Sequence, residues 1–400
     1  MLSFIVIGIN DSHAPRFSRE ITREIEKGKV FSGGKRHREI VNALLPQQAR
    51  WIDIAAPLDE TFKQYEEARC NGTETIVVFA SGDPLFFGFA NTIRRKMPQA
   101  EIKVFPAFHS LQMLAHRLVM PYQELRTVSL TGRSWQELDR VLIERTPEIG
   151  LLTDGEHSPA AIARRMTEFG YTAYRMHVGE HLGNPERERV TSCSLAEASE
   201  MKFDAPNCVI VRAEEPGIKP FGIDDRAFEL LDGRERMITK MPIRLLSLQA
   251  LALNTHQALW DIGSCTGSIS IEARLLFPHL SVTAFEIREE GRRLMETNSR
   301  KFGAPGIRFV SGDFLTTDIS NLPRPDAVFI GGHGGKLKEV MRKAKTVLRP
   351  GGCIVMNSVT STGFDLFERM ARELNLALQP ALHLVFNDYN PIDILKAINR

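Results

Sequence analysis

Residues 259–273 read LWDIGSCTGSISIEA, and the order of residue types in this stretch decides the fold of the chain's second half. The apolar run Ala258-Leu259-Trp260 leads into Asp261, and a turn of small residues follows, Gly263-Ser264-Cys265-Thr266-Gly267. Apolar residues return at Ile269, Ile271, Ala273, Leu275 and Leu276. That is a buried strand, a tight loop and a helix start, the place where an α/β sheet turns backbone N–H groups toward a ligand. A second apolar run, Val282–Phe285, ends in Glu286. An acidic side chain at the tip of the second strand is placed to accept both hydroxyls of a ribose. The pattern predicts a ligand that carries adenosine.

Glycine spacing separates the adenosine cofactors. A dinucleotide fingerprint requires G-x-G-x-x-G, its last glycine letting the helix start pack beneath a pyrophosphate. In the frame of Gly263, Cys265 and Ser268 stand where the second and third glycines belong. Asp261 suits a ligand with a cationic end better than a pyrophosphate. The loop resembles the D/E-x-G-x-G-x-G loop of class I S-adenosylmethionine (SAM) methyltransferases, with Cys265 replacing the middle glycine. A short glycine motif fits a plain α/β turn equally well, so the rest of the chain has to decide.

Four hundred residues, at roughly 150 per domain, predict two or three domains. The 43% hydrophobic and 25% charged content is that of an ordinary globular protein. A net charge of +2 offers no broad basic field and disfavours nucleic acid as the main partner. No apolar run approaches the roughly 20 residues that cross a bilayer, and MLSFIVIGIN reads as a first strand and not a signal peptide. The five cysteines are scattered, never spaced C-x-x-C, and fit a reducing cytoplasm.

Apolar runs at Leu2–Ile9, Lys29–Ser32, Trp51–Ile54, Thr75–Ala80, Ile102–Phe105, Thr127–Leu130, Ile149–Thr153, Thr172–His177 and Cys208–Arg212 read as strands. Helices are expected over Arg16–Lys27, from Leu85 to Arg95, and over Pro159–Phe169. Such alternation predicts a mainly parallel α/β layout. Residues 214–226, rich in proline, glycine and charge, read as a linker between a domain over 1–213 and another over 227–400. In the second domain Ile307–Val310 leads to Ser311-Gly312-Asp313, and Ala327–Ile330 to Gly331-Gly332-His333-Gly334-Gly335. The end differs in kind: Leu382–Phe386 and Ile392–Ile398 flank Asn387-Asp388-Tyr389-Asn390-Pro391, which reads as an antiparallel hairpin. A parallel sheet finished by such a hairpin matches a class I methyltransferase and not a dinucleotide-binding fold.

Two sets of segments carry a closer resemblance. In the first half they are Ser32-Gly33-Gly34-Lys35-Arg36-His37, the run from Ala80 to Gly88, Ser129-Leu130-Thr131-Gly132-Arg133, and the run from Thr153 to Pro159. In the second half they are Met237-Ile238-Thr239-Lys240, the opening stretch, Phe329–Gly335 and Pro350-Gly351-Gly352. With these the chain resembles the decarboxylating precorrin C5,15-methyltransferase family of cobalamin biosynthesis, fusions of two methyltransferases. The resemblance implies an N-terminal tetrapyrrole-methylase (class III) fold followed by a C-terminal class I Rossmann-like SAM methyltransferase. It implies one SAM per domain and a precorrin or cobalt-precorrin substrate. C15 methylation with loss of a ring acetate's carboxyl falls to the second domain and C5 methylation to the first. It also implies self-association. Four positions depart from the family pattern: Gly8-Ile9-Asn10-Asp11-Ser12 where G-x-G-P-G is usual, His109 for a small serine, Thr131 for histidine, and Cys265 for glycine.

Expected cofactor contacts in the second domain are Thr239, Asp261, Gly263, Ser264, Cys265, Thr266 and Gly267, with Glu286 on the ribose, Asp313 at the adenine amine and Phe314 against the ring. In the first domain they are Gly8, Ser81, Gly82, Asp83, His109, Ser110 and Gly132. Gly331–Gly335 lets a planar macrocycle approach the backbone, with His333 assisting and Lys240 or Arg244 neutralising a substrate carboxylate. The nucleophile is an electron-rich meso carbon, so no strong protein base is demanded. No metal site is expected; His177 and His181 have i, i+4 spacing, but Gly179 between them argues against a helix, so they read as structural. Two alternatives stay open: a SAM methyltransferase on another substrate with an inactive N-terminal scaffold, and a nicotinamide-dependent oxidoreductase.

Overall fold

The computed structural model describes every residue except 1, 13–14, 235–236 and 386–389. It divides into two compact units: Met1–Arg133, Pro147–Arg164 and Tyr174–Glu214 form one, and Ser134–Thr146, Arg165–Ala173 and Glu215–Arg400 the other.

The first unit contains two five-stranded sheets. Strands β1 (Ser3–Ile9), β2 (Val30–Gly33), β3 (Arg50–Asp53), β4 (Thr75–Ser81) and β5 (Glu101–Phe105) lie in the order β3-β2-β4-β1-β5, all parallel. Ile76, Val77, Val78, Phe79 and Ala80 of β4 are all buried, as expected for a central strand covered on both faces. The second sheet joins β6 (Arg126–Ser129), β7 (Glu148–Leu152), β8 (Tyr174–Glu180), β9 (Arg189–Ser194) and β10 (Asn207–Ala213) in the order β6-β7-β10-β8-β9. Here the expectation of a mainly parallel layout fails. Only β6 and β7 run parallel; β7–β10, β10–β8 and β8–β9 are antiparallel. β9 carries no apolar run, and β8 and β9 are joined by a short loop, which two antiparallel neighbours need and parallel ones cannot use.

The helix expected from Leu85 starts instead at Phe89 and runs to Lys96. Asp83 Oδ1 accepts the Leu85 N–H at 2.8 Å, which folds a turn there, and Phe87 sits at φ 53. Gly88 then caps the helix.

In the second unit β11 (Ala258–Ile262), β12 (Ser281–Glu286), β13 (Arg308–Ser311), β14 (Ala327–Ile330) and β15 (Cys353–Ser358) are parallel, and β16 (Leu376–Leu378), β17 (Leu382–Leu384) and β18 (Ile392–Asn399) complete the sheet. The order is β13-β12-β11-β14-β15-β18-β16, with β17 also on β18. β18 is antiparallel to β15, β16 and β17, so the terminal strands pair as the sequence predicts. Of the turn between them, residues 387–389 lie outside the described residues. In the segment 214–226, Ile223 is buried, and the N–H groups of Gly222 and Ile223 both bond Glu272 Oε1. No helix among the described residues is long and apolar enough to cross a membrane.

Candidate functional sites

Each unit carries a crevice where strands end. In the second unit the crevice is roughly 230 Å³ and is lined by Gly263, Glu286, Asp313, Phe314, Gly332 and His333, among others. It lies at the carboxyl ends of β11, β12 and β14, where open α/β sheets bind ligands. Gly263 (φ +76) is forced by packing: a Cβ there would lie 2.6–2.7 Å from the backbone of Gly332. The loops after β11 and β14 therefore cross in near contact. The N–H groups of Gly263 and Ser264 both bond Phe285 O, and Cys265 N–H bonds Glu286 Oε2 at 2.8 Å.

Glu286 is 1% exposed. Its Oε1 accepts from the Arg288 N–H at 2.9 Å and the Arg288 guanidinium at 3.1 Å. A carboxylate offers about four acceptor positions, so three protein donors leave capacity for a ligand hydroxyl. Asp313 Oδ1 accepts the Leu315 N–H at 2.9 Å, and its Oδ2 lies 3.3 Å from Lys336 Nζ. That N–H, with Lys336, holds its carboxyl below the usual range. Phe314 is buried, edge-on to Trp260 and Phe285, and lends the crevice an apolar wall. His333 is partly buried, which lowers its pKa and keeps the ring neutral near pH 7; Nδ1 is buried without a partner.

The other residues expected here do not line this crevice. Asp261 is 1% exposed, its Oδ2 bonded to Ser270 Oγ at 2.6 Å, and burial raises its pKa to about 7. Asp261 Oδ1 and Ser264 Oγ are buried without partners. Cys265 sits at φ 49, the left-handed conformation that explains a glycine at this place in the motif. Thr266 is buried, and its carbonyl accepts from Asn298 Nδ2. Gly267 (φ +77) caps the helix Ser268–Leu276. Thr239 and Lys240 precede the helix Met241–Ala250, and Lys240 Nζ lies 3.9 Å from Asp225. Arg244 does not face a substrate. It is 0% exposed and bonds Glu272 at 2.6 Å, Asp225 at 3.1 Å and the carbonyls of Ile223 and Thr239. Its apolar position on the helix face buries it, and a buried guanidinium must be paired.

The first unit's crevice is larger, roughly 480 Å³. Ser81, Gly82, His109 and Ser110, expected as cofactor contacts, line it. Gly8 does not line it; a Cβ there would lie 2.0 Å from Gly82 O and 2.7 Å from Ala107 N. Gly82 (φ +61) is as tightly held, 2.7 Å from His109 Cα by the same measure. These glycines let the loops after β1, β4 and β5 cross. His109 caps the helix Ser110–Arg117, its Nδ1 accepting the Gln112 N–H, and stacks on Phe86 at 3.8 Å. Burial lowers its pKa to about 4. Asp83 closes its own turn, and Gly132 (φ +62) donates its N–H to Asp154; neither lines the crevice.

The crevice instead takes its charge from Asp11 and Arg36, with the His37 ring beside them, and the sequence left all three without a role. A carboxylate in the loop where the family has G-x-G-P-G was the available signal. His177, in β8, lies 2.7 Å from Ser192 Oγ, and His181 lies 2.9 Å from Asp11, so the two histidines do not converge. Among the described residues no group of three potential ligands could hold a metal ion.

The chain matches two family models, Tetrapyrrole (Corrin/Porphyrin) Methylases over residues 4–199 and Precorrin methyltransferase domain over residues 230–379. It is 33% identical over 361 residues to the precorrin-6Y C(5,15)-methyltransferase [decarboxylating] of Sinorhizobium sp, covering 89% of this chain and 84% of that protein. It is 26% identical over 360 residues to the protein of that name in Mycobacterium tuberculosis, covering 89% and 87%. The cobalt-precorrin-6B C(15)-methyltransferase (decarboxylating) of Salmonella typhimurium is 39% identical over 129 residues, 32% of this chain and 66% of that protein. Two crevices on two unlike sheets, and identity that runs through both, lead to one conclusion: the chain belongs to the decarboxylating precorrin-6Y C5,15-methyltransferase family.

Proposed function

We propose that the chain is a bifunctional SAM-dependent C-methyltransferase of cobalamin biosynthesis. Its second unit methylates C15 of a precorrin, or of its cobalt form, with loss of the ring C acetate's carboxyl as CO₂. Its first unit methylates C5, and each unit binds one SAM. The observation that carries this reading is the pair of separate crevices, one in each unit.

The residues of the second crevice suit the cofactor. Glu286 retains acceptor capacity for ribose hydroxyls, Phe314 offers an apolar wall for adenine, and Asp313 stands at the rim for its amine. In the first crevice Ser81, Gly82, His109 and Ser110 are the cofactor-facing groups. SAM, when bound, supplies a methyl group activated by the sulfonium. The protein's part is to align the receiving carbon, hold the macrocycle and exclude water, which is worth several kcal/mol of barrier. The neutral His333 ring, between glycines that leave the backbone open, is the group we place beside the substrate as a proton acceptor. Five unpaired cysteines suit a reducing cytoplasm, and self-association belongs to the same reading.

Incubation with labelled SAM and each candidate precorrin, followed by mass measurement, tests it. The expected product gains two methyl groups and loses CO₂. Titration with S-adenosylhomocysteine should give two sites per chain. One site supports an inactive first unit, and heat on titration with NAD would overturn the reading.

A further inference from the structure

The first crevice holds a chain of paired polar side chains. His181 Nδ1 lies 2.9 Å from Asp11 Oδ2, and Asp11 Oδ1 accepts from Arg36 at 3.0 Å. Arg36 donates again to Ser81 Oγ at 2.9 Å, and His37 Nε2 lies 2.9 Å from the same oxygen. The proton positions follow from the partners. His37 Nδ1 accepts the Gly34 N–H at 3.2 Å, so a neutral ring carries its proton on Nε2. Burial, with Arg36 beside it, lowers the His37 pKa to about 4, and the ring is neutral near pH 7.

His37 Nε2–H therefore donates to Ser81 Oγ, as the Arg36 guanidinium does. A hydroxyl has two acceptor lone pairs and one O–H. Both lone pairs of Ser81 are occupied, so its remaining capacity is to donate. Ser81 is exposed and lines the crevice, so that donor has the crevice before it. Two incoming donors, one of them cationic, polarise the O–H and strengthen the bond it gives. Arg36 has five N–H groups, and these two bonds leave others beside the hydroxyl. A hydroxyl that can only donate, next to a guanidinium, is complementary to a carboxylate.

We propose that Ser81 and Arg36 form a carboxylate-reading site in the first unit, with Asp11 and His37 as its positioning residues. Asp11 anchors the guanidinium from behind, and His37 fixes the direction of the serine proton. The site rests on the reading of the chain as a corrinoid methyltransferase, which brings two carboxylate sources to this crevice. One is the amino-acid end of the cofactor, and the other is the acidic side chains of the macrocycle.

The experiment uses the full chain and the variants Ser81→Ala, Ser81→Thr and Arg36→Lys. Calorimetry measures S-adenosylhomocysteine binding without macrocycle. Visible absorbance measures macrocycle binding with S-adenosylhomocysteine present. Product masses separate C5 methylation from decarboxylating C15 methylation, and the C15 step, in the other unit, reports whether the chain is folded. A bond from a hydroxyl to a charged acceptor predicts a loss of roughly tenfold or more in Ser81→Ala, while Ser81→Thr, which keeps the hydroxyl, stays near wild type. Arg36→Lys keeps the charge but not the fork and falls between them. Weakening in the calorimetric arm assigns the cofactor's carboxylate; weakening in the absorbance arm alone assigns the macrocycle's. If wild type performs both methylations and Ser81→Ala matches it in both arms, the inference is overturned and the functional reading stands. If wild type performs no methylation at all, the functional reading fails, and the site with it.

Discussion

The two crevices hold their polar groups with different shares of main chain and side chain. In the first, side chains hold side chains: His181, Asp11, Arg36, Ser81 and His37 form one chain of contacts, drawn from two loops, the helix Lys35–Val41 and the end of β4. In the second, the main chain shares in holding the acids: Glu286 takes the N–H groups of Cys265 and Arg288 beside the Arg288 guanidinium, and Asp313 that of Leu315 beside Lys336. The buried titratable groups differ accordingly. His37 and His109 of the first unit are kept neutral by burial, with pKa values near 4, while Asp261 of the second is pushed up to about 7. A side-chain network is tuned by substitution one residue at a time. A main-chain cradle depends on loop geometry, and its weak points are glycines.

The strongest way to break the comparison is to remove one crevice at a time. Gly8→Ala puts a Cβ 2.0 Å from Gly82 O, and Gly263→Ala puts one 2.6–2.7 Å from Gly332 backbone. Neither neighbour is a flexible side chain, so each change should cost on the order of 3 kcal/mol or more. S-adenosylhomocysteine stoichiometry should fall from two to one in each variant. A variant that keeps two sites would show that the crossed loops tolerate separation.

Next in size is a contrast in pH response. Between pH 3.8 and about 7 folded Asp261 keeps a proton that the unfolded chain has released, so the second unit loses stability as pH rises through that window. The displacement corresponds to on the order of 4 kcal/mol. Asp261→Asn should remove it, being more stable than wild type at pH 8 and similar at pH 4. His37 works in reverse. Between pH 6.5 and about 4 the unfolded chain takes up a proton that the folded ring refuses, so the first unit loses stability as pH falls. His37→Gln should flatten that loss by no more than about 3 kcal/mol. Amide exchange resolved by peptide reads the two units separately. The same slope in both would end the contrast.

Glu286→Ala sharpens it at the level of binding. Losing a charged acceptor costs about 1.5–3 kcal/mol, so affinity at the second site should drop at least tenfold while the first site is unchanged. The smallest effect is Cys265→Gly. Relief of a left-handed non-glycine, about 1–2 kcal/mol, is largely offset by the added freedom of an unfolded glycine. Urea unfolding should therefore place it at or slightly above wild type, within about 1 kcal/mol.

Much of the second unit was legible along the chain. β11, the loop from Gly263 and Glu286 at the tip of β12 are local, because strand, turn and helix start follow one another within one hydrogen-bonded unit. The antiparallel finish was legible from its two apolar runs. Less so was which loop residues line the crevice: Gly263 and Glu286 do, whereas Asp261, Ser264, Cys265 and Thr266 do not. Strand alternation and loop φ angles set that division, and residue type carries neither. Arg244 misled for a related reason. A positive charge near a motif reads as a ligand contact until its burial against Glu272 is seen.

What the sequence determined by itself is what local order encodes: two α/β halves, a strand–turn–helix start rich in small residues, and an acid at a strand tip. Tertiary structure alone decided that the second sheet of the first unit is mostly antiparallel, since strand direction depends on which strands pair. It alone brought Asp11, Arg36, His37, Ser81 and His181 to one place. Apart from the adjacent Arg36 and His37 they are scattered along the chain, and the packing of the strands that carry them makes them neighbours.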